Sequence, residues 1–251
     1  METAEEMDED KTEPSSENQN DAINAPTPSK RNNNSTAQTK QSSQSEASVR
    51  EARPQTTETQ NATTVQMEAG HEWVDLGLSV KWATCNVGAT SPSKQGFRIV
   101  WGETKPKAFS SWGNYLLKSS GNDINNIIIT KYNTDSRFGT IDYKTTLESI
   151  DDVASQNWGG RWRTATKAEW EQLISRCTWN WTSMNGELGY MVTGPNRNSI
   201  FLPRAEDGGI YWSATLYQET PSYAWSFVMF KGEQYMKEHK RIYEHMIRPV
   251  F

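Results

Sequence analysis

The sequence predicts an α+β domain, with antiparallel strands at both ends and two helices between them, preceded by a polar tail. Three observations support this prediction. All 27 aromatic residues lie from Trp73 onward, so only that part of the chain can build an aromatic-rich core. A capped amphipathic helix occupies the middle of this region, and its last fifty residues consist of apolar runs separated by turn residues.

Residues 1–70 form the predicted tail. They contain no Phe, Trp, Tyr or Leu, and they hold 6 basic against 13 acidic residues. Such a segment cannot bury enough apolar area to offset its chain entropy, so we expect it to be disordered. Residues 71–251 hold 20 basic and 18 acidic residues and have the size of one domain. A nearly neutral domain gives no electrostatic reason to expect a nucleic-acid partner.

No targeting segment is recognisable in the chain. Its first ten residues, METAEEMDED, are acidic where a secretory signal is basic, and no apolar stretch is long enough to span a membrane. Taken literally, these features predict a soluble protein that is not exported. A polar tail of this length is also typical of a stalk between a membrane and a domain, so an anchor upstream of this sequence is the alternative.

The central helix is predicted to begin after Thr166. Glu169 stands three residues later, which is the spacing of a capping box. The next apolar residues fall on one helix face: Trp170, Leu173, Ile174 and Cys177. Four tryptophans bracket this helix, and we expect them to form a core, with one exposed aromatic platform as the alternative.

A second helix is predicted from Thr145, because Glu148 repeats the capping-box spacing. Its inward-facing residues are expected to be Leu147, Ile150, Val153 and Ala154. Alternating apolar residues and flanking turn residues predict the strands. The predicted strand ranges are 72–75, 80–86, 97–101, 189–193, 199–202, 210–216, 223–230, 234–239 and 243–250.

Several segments of the domain carry a family resemblance. They read VDLGLSVKWATCNVGA from Val74, WGETKP from Trp101, TKYNTD from Thr130, NWGGRWRTATKAEWEQLI from Asn157, and IRPV near the C-terminus. Together, over residues 73–251, they resemble the Fibrobacter succinogenes major paralogous domain, which is found mostly in surface and secreted proteins of Bacteroidetes. The resemblance implies a cell-surface or secreted location. A cytoplasmic location stays open because the sequence shows no signal peptide.

The resemblance also implies a C-type lectin-like fold, as in formylglycine-generating-enzyme relatives and in the variable proteins that retroelements diversify. In such a fold the N- and C-terminal strands pair, two helices pack on the sheet, and a loop-rich region presents a surface. Two departures stand out. Ala165 replaces the usual Pro, which should leave the helix entry less rigid. The loop between Pro203 and Gly208 is shorter than usual, which removes room for ligand contacts.

Residues that could carry chemistry are few and scattered. The spacing of Cys85 and Cys177 fits no metal-finger pattern, so we expect two small buried side chains, with a disulfide as the alternative. Formylglycine-generating enzymes use a cysteine pair near the C-terminus, and no cysteine follows Cys177. His71, His239 and His245 are too scattered for a catalytic set, and we expect the last two to be solvated. We therefore expect no enzymatic activity, and a sulfatase-modifying enzyme is the alternative.

Calcium binding is the other chemical alternative. Asn133, Asp135 and Asp142 lie in a glycine-containing loop, and Asp151 and Asp152 follow it. Such oxygen ligands suit calcium, but no EF-hand pattern fits and the sugar-coordinating EPN and WND triplets of calcium-dependent lectins are absent. We expect these residues to form turns and helix caps, and we expect no cofactor.

The remaining candidate is a recognition surface on the C-terminal strands. Tyrosines with scattered charges give rigid amphipathic area at low entropy cost, and this region is the one that varies in the retroelement-diversified relatives. The predicted ligand-binding residues are Tyr217, Tyr223, Tyr235, Lys237, His239, Arg241 and Tyr243. They predict a non-catalytic, surface-displayed binding or adhesion module for a protein or a glycan. A purely structural surface subunit is the alternative, in which the tyrosines only flank a core.

Overall fold

The computed structural model describes residues 63–206 and 208–251, so most of the predicted tail lies outside the described residues. Strands make up 37% of the structure and helices 13%, in five small antiparallel sheets and two short α-helices. The predicted α+β, C-type lectin-like fold is therefore wrong. Sheets and irregular loops, rather than helices, cover most of the apolar faces, and the long segment between Thr84 and Trp162 contributes to the core with little regular structure.

The described residues form fifteen strands and two α-helices, which are numbered in chain order. The strands are β1 Val65–Glu68, β2 His71–Val74, β3 Trp82–Ala83, β4 Ile99–Val100, β5 Lys118–Ser120, β6 Ile128–Ile129, β7 Arg163–Thr164, β8 Thr178–Met184, β9 Glu187–Thr193, β10 Ser199–Pro203, β11 Gly209–Leu216, β12 Tyr223–Phe230, β13 Glu233–Lys240, β14 Glu244–His245 and β15 Pro249–Val250. The helices are α1 Val153–Trp158 and α2 Lys167–Arg176. None of the helices in the described ranges is long and apolar enough to cross a membrane.

The first and last strands of the described residues lie in one five-stranded sheet of order β1-β2-β3-β15-β7. Val250 of β15 pairs with Trp82 of β3, so the pairing of N- and C-terminal strands implied by the resemblance is present. β1 lies within the range assigned to the tail. It pairs with β2, and its Glu68 carboxylate binds the Arg161 guanidinium at 2.8 Å. Residues 63–70 therefore belong to the folded part of the chain.

Helix α2 follows the prediction closely. Thr166 caps it, with its hydroxyl accepting from the Glu169 amide and the Glu169 carboxylate accepting from the Thr166 amide. Trp170 and Leu173 are completely buried, and the other two residues of the predicted stripe are partly buried against the same core. This core lies between α2, the five-stranded sheet, and two three-stranded sheets of orders β10-β9-β8 and β11-β12-β13.

The second predicted helix begins later than expected. α1 starts after Asp152, whose carboxylate accepts hydrogen bonds from the amides of Ala154 and Ser155. The preceding residues form only a 3-10 turn, and Ile150, expected to face inward, is 66% exposed. The buried Asp152 carboxylate also accepts from the Thr164 amide at 2.8 Å, which ties α1 to β7. This tertiary contact favours the cap at Asp152 over the local signal further upstream.

Two completely buried arginines hold the C-terminal strands to distant loops. Arg248 donates to the Asn86 side chain and to the carbonyls of Ala83 and Phe201, at 2.8 to 2.9 Å. Arg241 donates to two carbonyls of the segment that precedes α1. Burial lowers the pKa of both guanidinium groups, and the carbonyl acceptors compensate for lost hydration. These contacts hold the C-terminal part of the chain against loops that lie far away in the sequence.

Candidate functional site

The predicted ligand-binding residues are divided between the two faces of the β11-β12-β13 sheet. Met236 of β13 packs into the core beneath α2, so its neighbours Tyr235 and Lys237 point to the opposite face, which we call the outer face. His239 shares this face. Tyr235 is 37% exposed and Lys237 is also exposed. Alternation along one strand therefore places three of the seven predicted residues together.

Tyr217 and Tyr223 belong to a different patch. The Tyr217 ring contacts the Trp225 ring edge-on at 5.2 Å, and Tyr223 has the same strand parity as Trp225 on the α2 side. The Lys167 ammonium lies 4.7 Å from the centre of the Trp225 ring. The Tyr217 hydroxyl donates to Glu219 at 2.7 Å. These partners already engage the Tyr217 hydroxyl and one face of the Trp225 ring, and neither tyrosine lines the cleft described below.

Arg241 is not a surface residue. It is completely buried, its guanidinium lies 4.7 Å from the centre of the Trp101 ring, and it donates to the Lys131 carbonyl at 3.1 Å. A ligand cannot reach it in this structure. Strand alternation could not reveal this, because the loop that covers Arg241 lies more than 100 residues earlier in the chain.

The outer face of the sheet carries a cleft of about 580 Å³. We call it the outer-face cleft. Its walls come from β11, the end of β13, the turn after it, and two distant loops. They include Arg98, Phe109, Ile210, His239, Tyr243 and His245. The cleft brings together His239 and Tyr243 of the predicted set with eight residues that the sequence did not indicate as ligand-binding.

Aromatic rings line the inner wall of the outer-face cleft. The centres of the His239 and His245 rings lie 4.9 Å apart, and the Tyr243 ring lies 6.1 Å from His239. His245 packs on the buried Trp212 ring at 4.4 Å and is only 4% exposed. The expectation that His245 is solvated is therefore wrong, because β14 packs this ring against Trp212, whereas His239 is partly buried and lines the cleft.

His239 provides the titratable polar group of this wall. Its Nδ1 lies 2.5 Å from the Ser226 hydroxyl oxygen. Burial lowers the pKa of His239, and the nearby charge of Lys237 lowers it further. The imidazole is therefore neutral at pH 7. The Ser226 hydroxyl donates to the Lys237 carbonyl at 2.9 Å, so Nδ1–H of His239 donates to Ser226 and Nε2 is left as an acceptor. Such a group can bind hydroxyl or amide groups of a ligand.

Two large exposed rings stand at the cleft. Phe109 is 70% exposed and Tyr243 is 44% exposed. The Arg98 Nε donates to the Glu244 carbonyl at 3.1 Å, which holds β4 against the turn that carries Tyr243. Sequence reasoning missed Phe109 because it lies in an irregular loop without periodicity. The only local signal was a large aromatic residue next to two serines.

The oxygens considered for calcium accept hydrogen bonds from the protein. The Asp142 carboxylate accepts from the amides of Tyr132, Asn133 and Lys144 at 2.8 to 3.1 Å. Asp135 binds the Arg137 guanidinium. Within residues 63–206 and 208–251, no group of three or more His, Cys, Asp or Glu side chains is arranged to hold a metal ion.

The two cysteines are free thiols, so the alternative of a disulfide between Cys85 and Cys177 is absent from this structure. Cys177 packs against the core beneath α2. Burial raises the pKa of the Cys177 thiol to about 11, so it is protonated at pH 7. Neither thiol is a lining residue of the outer-face cleft.

Comparison with known families assigns the folded part of the chain. A family model described as the Lcl C-terminal domain matches residues 74–251. The chain belongs to the Lcl C-terminal domain family. This membership indicates a surface or ligand-binding type of module, and it fits a Fibrobacter-type paralogous domain family. The Lcl C-terminal domain of this chain contains every residue of the outer-face cleft named above, whereas β1 precedes it. No curated protein and no solved structure gave a significant match.

Proposed function

We propose that this protein is a non-catalytic, surface-displayed binding or adhesion module that recognises a protein or a glycan through the outer-face cleft. The observation that carries the proposal is the pair of exposed rings, Phe109 and Tyr243, beside a cleft with a neutral histidine. Exposed aromatic rings are costly in water and are typical anchors of recognition surfaces. In finer detail, we propose a member of the Fibrobacter type, related to the retroelement-diversified binding proteins.

The cleft has the composition expected for recognition. Its volume of about 580 Å³ lies within the range of small-ligand pockets. Phe109, Ile210 and Tyr243 supply apolar area, while His239 supplies directional hydrogen bonds. Tyr235 and Lys237 continue the same face beyond the cleft and can extend the contact of a larger ligand. This combination suits a sugar ring or a protein side chain that stacks on one ring and donates to an imidazole.

Display on a surface is part of the proposal. The chain enters the folded region at residues 63–68, where the Ser199 amide donates to the Thr63 hydroxyl and the Trp162 indole donates to the Glu68 carbonyl. The polar, acidic composition of the preceding residues suits a stalk that holds the domain away from an anchor. Nothing in the outer-face cleft favours the alternative of a sulfatase-modifying enzyme, because neither thiol lines it.

A double substitution, Phe109→Ala with Tyr243→Ala, tests the cleft. Binding to glycan arrays and to labelled cell-surface proteins is measured for the parent and the variant. We expect the variant to melt near the parent, because exposed residues contribute about 0.5 kcal/mol or less each to stability. We expect its affinity to fall at least tenfold, because aromatic anchors at an interface contribute about 2 kcal/mol or more.

The matched control is Tyr143→Ala with Ile150→Ala, which removes two exposed apolar side chains that do not line the cleft. This control should keep full binding. Unchanged binding by the cleft variant would refute the proposed site. Loss of stability without loss of binding would assign the two rings to a structural role. The two arms of the assay decide between a glycan and a protein ligand.

A further inference from the structure

The β11-β12-β13 sheet ends at β13, an eight-residue strand. No other strand of residues 63–206 and 208–251 pairs with its outer edge. Unpaired edges of this length are ready to add a further strand, and proteins either block them or use them. The edge of β13 therefore requires an explanation.

The strand register shows which backbone groups point away from the sheet. The Arg241 amide donates to the Ser222 carbonyl at 3.0 Å, which continues the register of β12 and β13 by one pair. In an antiparallel pair, residues that exchange hydrogen bonds alternate with residues that do not. The odd-numbered residues of β13 therefore bond to β12. Gln234, Met236 and Glu238 direct their N–H and C=O groups outward.

We propose that β13 pairs with β13 of a second copy of this chain, across a two-fold axis at Met236. The two strands then run antiparallel, with Met236 opposite its own symmetry mate and Gln234 opposite Glu238 of the second copy. Each of these pairs exchanges backbone hydrogen bonds, so the pairing satisfies the outward groups of all three residues. The two sheets become one continuous sheet.

The side chains of the outer face favour this register. Glu233 comes opposite His239 of the second copy, and Tyr235 comes opposite Lys237. His239 is neutral, so this first pair is not an ion pair. Lys237 also lies diagonally across from Glu233 and from Lys237 of the second copy, within reach of a long side chain. The two-fold axis therefore forms the cation–ring pair of Tyr235 and Lys237 twice and the Glu233–Lys237 attraction twice, against one repulsion between the two copies of Lys237. This self-complementarity is the argument for a second copy rather than an unrelated strand.

The edge strands β1 and β8 are less suited to pairing with a second copy. β1 has four residues, and its only charged side chain, Glu68, already binds Arg161. β8 is seven residues long but carries no charged side chain, so nothing in its sequence selects a register. β13 is the edge on which length and charge pattern coincide.

The pairing also has a consequence for binding. A two-fold axis between antiparallel strands of one sheet is perpendicular to that sheet, so the outer faces of both copies point to the same side. Both outer-face clefts then face one direction, and a multivalent surface can engage them together. This consequence rests on the proposed function, whereas the pairing itself does not.

Sedimentation velocity of the full chain over a concentration series tests the pairing. A single strand edge buries less area than a standard interface, so we expect a dimer with a dissociation constant on the order of micromolar or weaker. Gln234→Pro removes an outward N–H and no hydrogen bond to β12, and proline is tolerated at such edge positions. It should weaken the dimer at least tenfold, while the matched Gln234→Ala should not.

A charge exchange gives a second, independent measurement. Glu233→Lys and Lys237→Glu should each weaken the dimer. The double variant should restore part of the lost affinity, because it re-forms the attraction between residues 233 and 237 with reversed charges but not the contact between Tyr235 and Lys237. Within one strand the two residues are about 13 Å apart and interact little, so restoration reports on contact between copies. Melting temperatures confirm that each variant is folded.

Three results would overturn the proposal. The first is a monomer at every concentration up to the solubility limit. The second is a dimer whose dissociation constant does not change with Gln234→Pro. The third is a double charge variant that dimerises no more tightly than either single variant. The cleft variant Phe109→Ala with Tyr243→Ala separates this proposal from the proposed function. It should dimerise like the parent even where it has lost its ligand.

Discussion

Replacement of Trp170 by alanine should be among the most destabilising single changes in this domain. Trp170 is completely buried, and its ring stacks on Phe227 at 4.5 Å with an interplanar angle of 7°. It also contacts Trp82 edge-on at 4.9 Å and Tyr211 at 5.5 Å. Buried Trp→Ala substitutions cost about 3–5 kcal/mol, and each aromatic pair adds about 0.5–1.5 kcal/mol beyond area. With three such contacts, we expect a loss of about 5 kcal/mol.

Compared with Trp170→Ala in the same helix, Thr166→Ala should cost much less stability. That change removes one hydroxyl that caps the same helix, with the Glu169 amide at 3.3 Å, and should cost about 1 kcal/mol. In a domain of this size, about 1 kcal/mol corresponds to a shift of about 2–4 °C in melting temperature. Thr166→Ala should therefore melt a few degrees below the parent, and Trp170→Ala about 10–20 °C below it.

Urea denaturation followed by circular dichroism measures both changes. Trp225→Ala is the matched control for the loss of an indole, because Trp225 is only partly buried and should cost much less. If Trp170→Ala fails to fold, Trp170→Phe keeps a ring on Phe227 and should give an intermediate midpoint. Equal midpoints for Trp170→Ala and Thr166→Ala would show that the side chains beneath α2 do not form the main core.

Three further predictions concern the tail, calcium and pH. A chain without residues 1–62 should keep the full cooperative melting transition. A chain that begins at residue 71 should melt at a lower temperature, because it lacks β1 and the contacts of Glu68. Calorimetry measures both transitions. Removal of calcium with a chelator should leave the melting temperature and ligand binding unchanged, because the Asp142 carboxylate accepts hydrogen bonds from three backbone amides. Loss of ligand binding on addition of the chelator would make the loop of Asn133, Asp135 and Asp142 a metal site again. Burial lowers the pKa of His239 and of His71, so the unfolded chain binds more protons than the folded one. The stability that the neutral histidines contribute should be fully present above about pH 6.5 and should fall as pH decreases below it. Denaturation measured over a pH series should show a flatter slope for His239→Gln.

The elements that depend on short-range signals were predictable. The strand at residues 223–230 has the predicted bounds, and the strands near residues 199–203 and 209–216 differ from prediction by one residue. The capping box of α2 forms as its spacing indicates. In each case the deciding interactions, such as a side-chain cap, a turn or alternation, involve residues only a few positions apart.

Elements that depend on distant partners were not predictable. The predicted strand at residues 80–86 contains only the two-residue β3, and the one at 243–250 is split into β14 and β15. β14 pairs with β4, whereas β15 pairs with β3 and β7, so the two ends of this short segment belong to two different sheets. Sequence patterning does not show where such a segment must bend to reach both.

The sequence by itself determined the aromatic-rich region from Trp73 onward, the position of α2 and the C-terminal strand that carries His239. Only the tertiary structure decided the fold class, the burial of Arg241, and the meeting of Phe109 with His239 at one cleft. The physical reason is the range of the interactions. Caps, turns and periodicity act within a few residues, whereas burial and a binding cleft depend on which distant loops close over a sheet.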